Sequence, residues 1–100
     1  MESYKYFIGV GGIIENDNRF LLVEEANGPL KNKWGFPSGL VNNDETIQKA
    51  IERELFEETG LITKLNHIVF IGNLLDSRWH RPELYIGCKL ETPQNLIINL

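Results

Sequence analysis

Hydrophobic and polar residues alternate along several stretches of the chain, and a two-residue period of this kind predicts β-strands. The first predicted strand, residues 4–14, is rich in aromatic and β-branched side chains, and a polar turn at 15–18 leads into a returning strand at 19–24. These two strands predict a hairpin. Two more strands, at 61–74 and 83–90, follow the one stretch with a helical period. Strands on both sides of a helix predict an α/β fold with a mixed sheet.

The helical stretch runs from about residue 45 to residue 59 and carries its apolar side chains on one stripe. Residues three and four positions apart share one side of a helix, and the members of this stripe are Ile47, Ala50, Ile51 and Leu55. Gly60 follows the last helical residue, in the position that favours a left-handed backbone at the end of a helix. The candidates for the N-cap are Asn42, Asn43 and Asp44.

Three glutamates, Glu54, Glu57 and Glu58, are spaced so that the helix brings their carboxylates to one side. Glu54 and Glu58 fall inside the apolar stripe, so a solvated charged face does not account for them. Like charges at this spacing destabilise a helix by roughly a few tenths of a kcal/mol per pair, and burying a carboxylate costs roughly several kcal/mol unless a cation compensates it. Arg53 is one candidate for that cation, and a hard divalent metal ion, which prefers oxygen ligands, is the other.

Composition and charge narrow the classes of protein that fit this chain. A length of 100 residues predicts one domain, and a net charge of −4 excludes a general attraction to nucleic acid or to an anionic membrane surface. No apolar run is long enough to span a bilayer, and residues 1–5 do not resemble a signal peptide. The single cysteine, Cys88, is predicted to be a small buried hydrophobe. We expect a cytoplasmic protein, because one cysteine fits a reducing compartment.

Residues 39–61 resemble the signature motif of the Nudix hydrolases. They read glycine, five residues, Glu45, seven residues and then R-E-L-x-E-E-x-G-L, which matches the Nudix box at every specified position. The approach W-G-F-P at 34–37 is also Nudix-like. The stretches at 30–34 and 83–86 are most similar to the eukaryotic branch that includes human Nudix protein 6 and the plant Nudix hydrolases.

This resemblance implies a fold and a reaction. The fold is a mixed sheet packed on the catalytic helix in an α/β/α sandwich, and residues 1–100 are expected to form a single Nudix domain without the usual C-terminal helix. The reaction is hydrolysis of the pyrophosphate in a nucleoside diphosphate linked to another moiety, assisted by Mg²⁺ or Mn²⁺. The branch resemblance suggests ADP-ribose or an NADH-like compound as the substrate.

The resemblance also assigns roles to individual residues of this chain. The implied metal ligands are Glu54, Glu57, Glu58 and the backbone carbonyl of Ser38, and the implied structural positions are Gly39, Glu45 and Gly60. Arg53 is expected to orient the glutamates by charge-assisted hydrogen bonds. Many family members take a catalytic glutamate from a late loop. Here either that base is absent, or Glu54 serves as the base through a metal-bound water.

Outside the motif, Arg78, Trp79 and Arg81 belong to a compact basic and aromatic cluster. This cluster is a candidate for binding phosphate or stacking on a base, and an exposed loop with solvated side chains is the equal alternative. The chain ends on an apolar run at 97–100. That run favours a second hypothesis, a shortened domain that binds a nucleotide or a protein partner with little turnover and can form a homodimer.

Overall fold

The computed structural model describes residues 6–75 and 82–93, which form eight strands and one helix. In chain order the elements are β1 (Phe7–Ile13), β2 (Glu15–Asn16), β3 (Arg19–Phe20), β4 (Val23–Glu24), β5 (Trp34–Gly35), β6 (Ser38–Leu40), α1 (Ile47–Thr59), β7 (Lys64–Leu74) and β8 (Glu83–Glu91). The described helix is not long and apolar enough to cross a membrane. The predicted cluster of Arg78, Trp79 and Arg81, and the apolar run at 97–100, lie outside the described residues.

Four of the strands form one mixed sheet in the order β6-β1-β8-β7. β1 and β8 run parallel, whereas β6 and β7 are antiparallel to their neighbours. The predicted α/β class with a mixed sheet is therefore confirmed. Within the described ranges α1 packs on one face of this sheet, and the second helical layer of the expected sandwich is not among the described elements.

The hydrophobic core lies between α1 and the sheet. Its buried side chains come from both layers: Val10, Ile14, Ala50, Ile51, Leu55, Ile86, Cys88 and Leu90. Fully burying a large apolar side chain contributes roughly 1.5–3 kcal/mol, so this contact holds the helix against the strands. The apolar stripe of the helix is confirmed, with Ile47 partly buried at its start. Cys88 is buried as predicted, and burial raises the pKa of its thiol.

The helix begins two residues later than the sequence suggested. Thr46 is its N-cap, with an extended backbone and a side-chain oxygen that accepts a hydrogen bond from the Lys49 N–H at 3.1 Å. The predicted caps Asn42, Asn43 and Asp44 were therefore wrong. Glu45 does not enter the helix because its carboxylate turns back to accept the Asn42 N–H at 3.0 Å. Gly60 ends the helix with φ 76°, as predicted.

The predicted long hairpin is also incomplete. β2 and β3 form a short hairpin around Asp17 and Asn18, whose positive φ values of 52° and 61° match a tight turn between twisted strands. The chain then leaves this ladder, and β4 pairs with β5 instead, with Glu24 opposite Trp34. The segment at 34–40 contains β5 and β6 on the two sides of Pro37. These short pairs bring the connection before β6 close to the end of the helix.

Candidate active site

Glu54 lies directly over the backbone of β6. A Cβ atom at Gly39 would overlap its carboxylate, so only glycine leaves room for this approach. The side chain of Glu54 is 14% exposed, and burial raises its carboxyl pKa, although hydrogen bonding to Arg53 acts in the opposite direction. The structure therefore places a largely buried carboxylate at the junction of helix and sheet. This contact gives Gly39 the structural role that the motif implied.

Arg53 connects the residues before the helix to the helix itself. Its guanidinium donates to both carboxylate oxygens of Glu45 at 2.7 and 2.9 Å and to the Leu40 carbonyl at 3.0 Å. It also donates to Glu54 at 2.8 Å and more weakly to Glu57 at 3.3 Å. The Arg53 bond, followed by the Asn42 N–H, lowers the pKa of Glu45 to about 2. The contact with Glu45 also raises the pKa of Arg53, so this cation stays charged.

The three glutamates of the motif do not occupy equivalent positions. Glu58 accepts a hydrogen bond from the Ser38 N–H at 3.2 Å, which ties the last turn of the helix to the start of β6. Glu57 is 54% exposed and is held by Arg53. Among residues 6–75 and 82–93, no three histidine, cysteine, aspartate or glutamate side chains are grouped closely enough to hold a metal ion. The structure thus brings Glu54 and Glu58 together and directs Glu57 to the guanidinium.

A cavity of about 480 Å³ opens beside Glu54 and Glu58. It is lined by Ser38 and Gly39 of β6 and by a loop that includes Asn27 and Leu30. A cavity of this size suits a small-molecule ligand. The sequence reasoning missed this loop, because a polar stretch with Gly28 and Pro29 gives no sign of what it faces.

The donors around this cavity fit a hard divalent cation. Glu54 and Glu58 offer carboxylate oxygens, which Mg²⁺ and Mn²⁺ prefer over nitrogen or sulfur. The desolvation of Glu54 disfavours its ionised form, and a bound cation would offset that effect. The chemistry of the donor set therefore agrees with the metal that the motif implies.

Comparison with known protein families identifies the family of this chain. A family model described as the NUDIX domain matches residues 5–92. The chain belongs to the Nudix family. This Nudix chain is 33% identical over 95 residues to the human protein Nucleoside diphosphate-linked moiety X motif 6, covering 92% of this chain and 30% of that protein. It is 44% identical over 62 residues to the ADP-ribose pyrophosphatase of Methanocaldococcus jannaschii, covering 62% of this chain and 37% of that protein.

A solved structure supports the same fold. The NUDIX hydrolase from Nitrosomonas europaea superposes with a TM-score of 0.82 at 27% identity, covering 90% of this chain and 61% of the other. The predicted family, and the resemblance to the human and plant branch, are confirmed. The Nudix chain spans 37% and 30% of the length of the first two curated relatives.

Proposed function

We propose that this chain is a pyrophosphohydrolase that cleaves a nucleoside diphosphate linked to another moiety, with Mg²⁺ or Mn²⁺ as its cofactor. The observation that carries the proposal is the pair Glu54 and Glu58 on the wall of one cavity, at the end of a helix that carries the complete family motif. Glu54, Glu57, Glu58 and the carbonyl of Ser38 would hold the cation. A bound divalent cation neutralises charge on the pyrophosphate and makes water a better nucleophile.

The chain's own residues supply orientation and a proton acceptor. Arg53 fixes one oxygen of Glu54 at 2.8 Å, so the carboxylate keeps its direction toward the cavity. Glu54 lines the cavity, so its carboxylate is placed to accept a proton from a water held there. As the water oxygen bonds to phosphorus, its proton passes to Glu54 and the bridging phosphorus–oxygen bond breaks. Glu54 is thereby assigned the role of general base.

ADP-ribose is the first substrate to test. A relative with 44% identity over 62 residues is named an ADP-ribose pyrophosphatase, and the human relative's name refers to nucleoside diphosphates linked to a further moiety. An NADH-like compound offers the same chemistry, a pyrophosphate between two nucleosides. A cytoplasmic location, where these nucleotides are abundant, belongs to the same proposal.

A second candidate is a nucleotide-binding or protein-interaction module with little turnover. One observation favours it: Glu57 is held by Arg53 and does not line the cavity, so the described carboxylates do not form a finished metal site. In this hypothesis the cavity binds the nucleotide, and the exposed apolar side chains of β7, such as Phe70 and Ile71, contact a second copy of the chain.

Hydrolysis assays separate the two candidates. The protein is incubated with ADP-ribose, NADH and other nucleoside diphosphate derivatives, with Mg²⁺, with Mn²⁺ or with a chelator, and the release of AMP is followed by chromatography. We expect metal-dependent release of AMP, and a fall of at least about tenfold in Glu58→Gln. Glu52→Gln is the matched control, because Glu52 lies on the same helix and accepts the Leu65 N–H outside the cavity. A protein that binds a nucleotide but releases no product with either metal overturns the hydrolase proposal.

A further inference from the structure

The strand β7 leaves the cover of the helix soon after it begins. Near its start the Leu65 N–H donates to the Glu52 carboxylate at 3.0 Å, and the Leu65 side chain packs against the core. Every residue from 66 to 71 is then exposed, so among the described residues both faces of the strand are open there. Four consecutive members of this stretch are apolar: Ile68 (45% exposed), Val69 (49%), Phe70 (48%) and Ile71 (62%). Soluble proteins rarely leave such a run uncovered, which indicates a contact surface.

The outer edge of β7 is open as well. Within the described part of the chain, β7 is the last strand of the order β6-β1-β8-β7, and β8 is its one described partner. Its pairing with β8 is regular from Phe70 to Leu74, after two shifts of register nearer its start. Residues 68–74 contain neither a charged side chain nor a proline, two devices that commonly keep an edge strand from pairing. The strand therefore presents a regular, uncharged edge to a further strand.

The composition of this edge favours a second copy of the same strand as the partner. An open edge offers backbone donors and acceptors that another extended strand satisfies, whereas a charged partner finds no ion pair on residues 68–74. Two copies of β7 that run antiparallel about a two-fold axis bring these uncharged stretches together, and such a contact closes as a dimer. The other outer strand of the described sheet, β6, is three residues long and offers little edge for further copies.

The regular part of β7 is symmetric about its middle residue, Gly72. With the two-fold axis at Gly72, Phe70 of one copy lies opposite Leu74 of the other, and the same pair recurs on the other side of the axis. Opposite residues of an antiparallel pair share one face of the sheet, so these apolar side chains meet. Phe70 and Leu74 are 48% and 46% exposed, and this contact would cover both. A Cβ at Gly72 meets nothing within 4 Å, so the axis itself is unobstructed.

We propose that two copies of this chain pair edge to edge along β7, antiparallel about an axis at Gly72, and so join two four-stranded sheets into one of eight strands. This pairing goes beyond the proposed function, because neither the cation nor hydrolysis enters it. The cavity beside Glu54 is lined by residues of β6, at the opposite edge of the sheet. Both cavities of the dimer therefore stay open.

Sedimentation velocity of the full chain at several concentrations, without nucleotide, tests the association. We expect the mass of two chains, and we expect Ile71→Lys to raise the dissociation constant at least about tenfold, because a lysine on an edge strand opposes pairing. Ile62→Lys is the matched control: Ile62 is 66% exposed, against 62% for Ile71, and lies outside β7. We expect Ile62→Lys to associate as the unchanged chain does.

Cross-linking tests the position of the axis. Opposite residues of an antiparallel pair have Cα atoms roughly 4.5–5.5 Å apart, within the range that a disulfide spans. Gly72→Cys should therefore form a disulfide with its own copy under a mild oxidant, seen as a dimer on a non-reducing gel. Gly35→Cys is the control, since a side chain at Gly35 also meets nothing within 4 Å and Gly35 lies in β5. The native thiol, Cys88, is buried.

The outcomes separate this pairing from the proposed function. A chain that sediments singly at every concentration overturns the proposal and leaves β7 to a different partner. A dimer that persists unchanged in Ile71→Lys, or equal cross-linking of Gly72→Cys and Gly35→Cys, overturns it too. If circular dichroism shows that Ile71→Lys is unfolded, the cross-linking comparison decides. A dimer that hydrolyses no substrate contradicts the proposed function alone, and an active single chain contradicts the pairing alone.

Discussion

The guanidinium of Arg53 is bonded most closely to Glu45, a residue outside the helix, at 2.7 and 2.9 Å. Its bond to Glu54, at 2.8 Å, is nearly as short, whereas Glu57 lies at 3.3 Å. Arg53 therefore orients one glutamate of the motif while it fastens the segment before the helix. Because Glu45 and Arg53 are eight positions apart, helical spacing does not reveal their contact, and the motif implied only that Glu45 is a structural position.

The contact of Glu57 with Arg53 shows that residue spacing alone does not distinguish an ion pair from metal coordination. A glutamate four positions after an arginine on a helix is as well placed for an ion pair as for a metal, and the structure shows that ion pair. Sequence periodicity placed Glu54 and Glu58 in the buried stripe; this is correct for Glu54, which is largely buried, and wrong for Glu58, which is exposed near the end of the helix. The loop that lines the cavity could not be found in this way, because its position depends on two backbone hydrogen bonds that join residue 25 to residues 32 and 33.

Replacement of Glu45 by glutamine tests the electrostatic part of this arrangement. The pKa of Glu45 is about 2 in the folded chain and 4.5 ordinarily. A lowered carboxyl pKa stabilises the fold at pH above about 4.5, and this contribution is lost as the pH falls toward about 2. Glu45→Gln should therefore be less stable than the unchanged chain near neutral pH, and the difference should shrink as the pH falls. Urea unfolding in chelator-treated buffer measures it.

Asp44→Asn serves as the control, since Asp44 is the exposed neighbour of Glu45. We expect the free energy of unfolding of Asp44→Asn to differ from that of the unchanged chain by the same amount at every pH in this range. A stability difference for Glu45→Gln that stays constant down to about pH 2 would contradict the lowered pKa.

Gly39 gives a prediction about the position of Glu54. A Cβ at Gly39 would overlap the Glu54 carboxylate, so Gly39→Ala must push that side chain away from β6. We expect the variant to lose at least about tenfold in Mn²⁺ affinity and in hydrolysis, because displacement of a ligand acts like its removal. Gly35→Ala is the matched control, since a Cβ there meets nothing within 4 Å. Equal metal affinity in the two variants would contradict the prediction.

At the scale of the element, the helix shows which boundary signals are reliable. Gly60 was predicted correctly, because a left-handed residue at the end of a helix strongly favours glycine. The N-terminus was misjudged, because Asn42, Asn43, Asp44 and Thr46 are all good capping residues. The choice among them depends on Glu45, whose side chain bonds to Arg53 and the Asn42 N–H and so keeps residue 45 outside the helix.

The cap gives a prediction that separates the two assignments. Thr46→Ala removes the acceptor of the Lys49 N–H, and we expect a loss of about 1 kcal/mol in the free energy of unfolding. Asp44→Ala, at a position that the sequence favoured and the structure leaves outside the helix, should change stability by less than about 0.5 kcal/mol. Thermal or urea unfolding of the two variants decides between the two N-cap assignments. A larger loss for Asp44→Ala would restore the original assignment.

The two short strand pairs, β2–β3 and β4–β5, show that an alternating sequence pattern does not identify the pairing partner of a strand. Residues 19–24 have the composition of one strand, yet β3 pairs with β2 and β4 pairs with β5. A period of two predicts extended backbone, but it does not determine the partner, which here depends on the later W-G-F-P segment. The mixed sheet was predictable because one helix between strands has few other ways to bury its apolar stripe.

At the scale of the whole molecule, one row of laterally paired residues crosses all four strands of the main sheet, and two of its members are glycines. Ser38, Gly11, Gly87 and Phe70 lie side by side on four neighbouring strands. On this row a Cβ at Gly11 would overlap the Tyr85 hydroxyl, and one at Gly87 would overlap the Phe70 ring. The two rings stack with centroids 6.0 Å apart. Of the glycines of β1, Gly11 is thus covered by an aromatic side chain, whereas Gly9 is covered first by Glu83 and Gly12 by Leu55 and Leu90.

This arrangement predicts a specific coupling between two strands. Gly11→Ala must displace the Tyr85 ring, and we expect a loss of about 1–3 kcal/mol in the free energy of unfolding, as for other overpacked sites. Gly72→Ala, in β7 of the same sheet, has open space and should leave stability unchanged or raise it by up to about 1 kcal/mol.

A double-mutant cycle tests whether that loss comes from the predicted overlap. Because the Tyr85 hydroxyl is the atom closest to the added methyl group, Tyr85→Phe should recover part of the loss caused by Gly11→Ala. The cycle subtracts whatever Tyr85→Phe costs by itself, and we expect a coupling of at least about 0.5 kcal/mol in urea unfolding. Strictly additive effects would mean that the added methyl group is accommodated without contact with Tyr85, and that the glycine at this position is not required by the aromatic cover of the sheet.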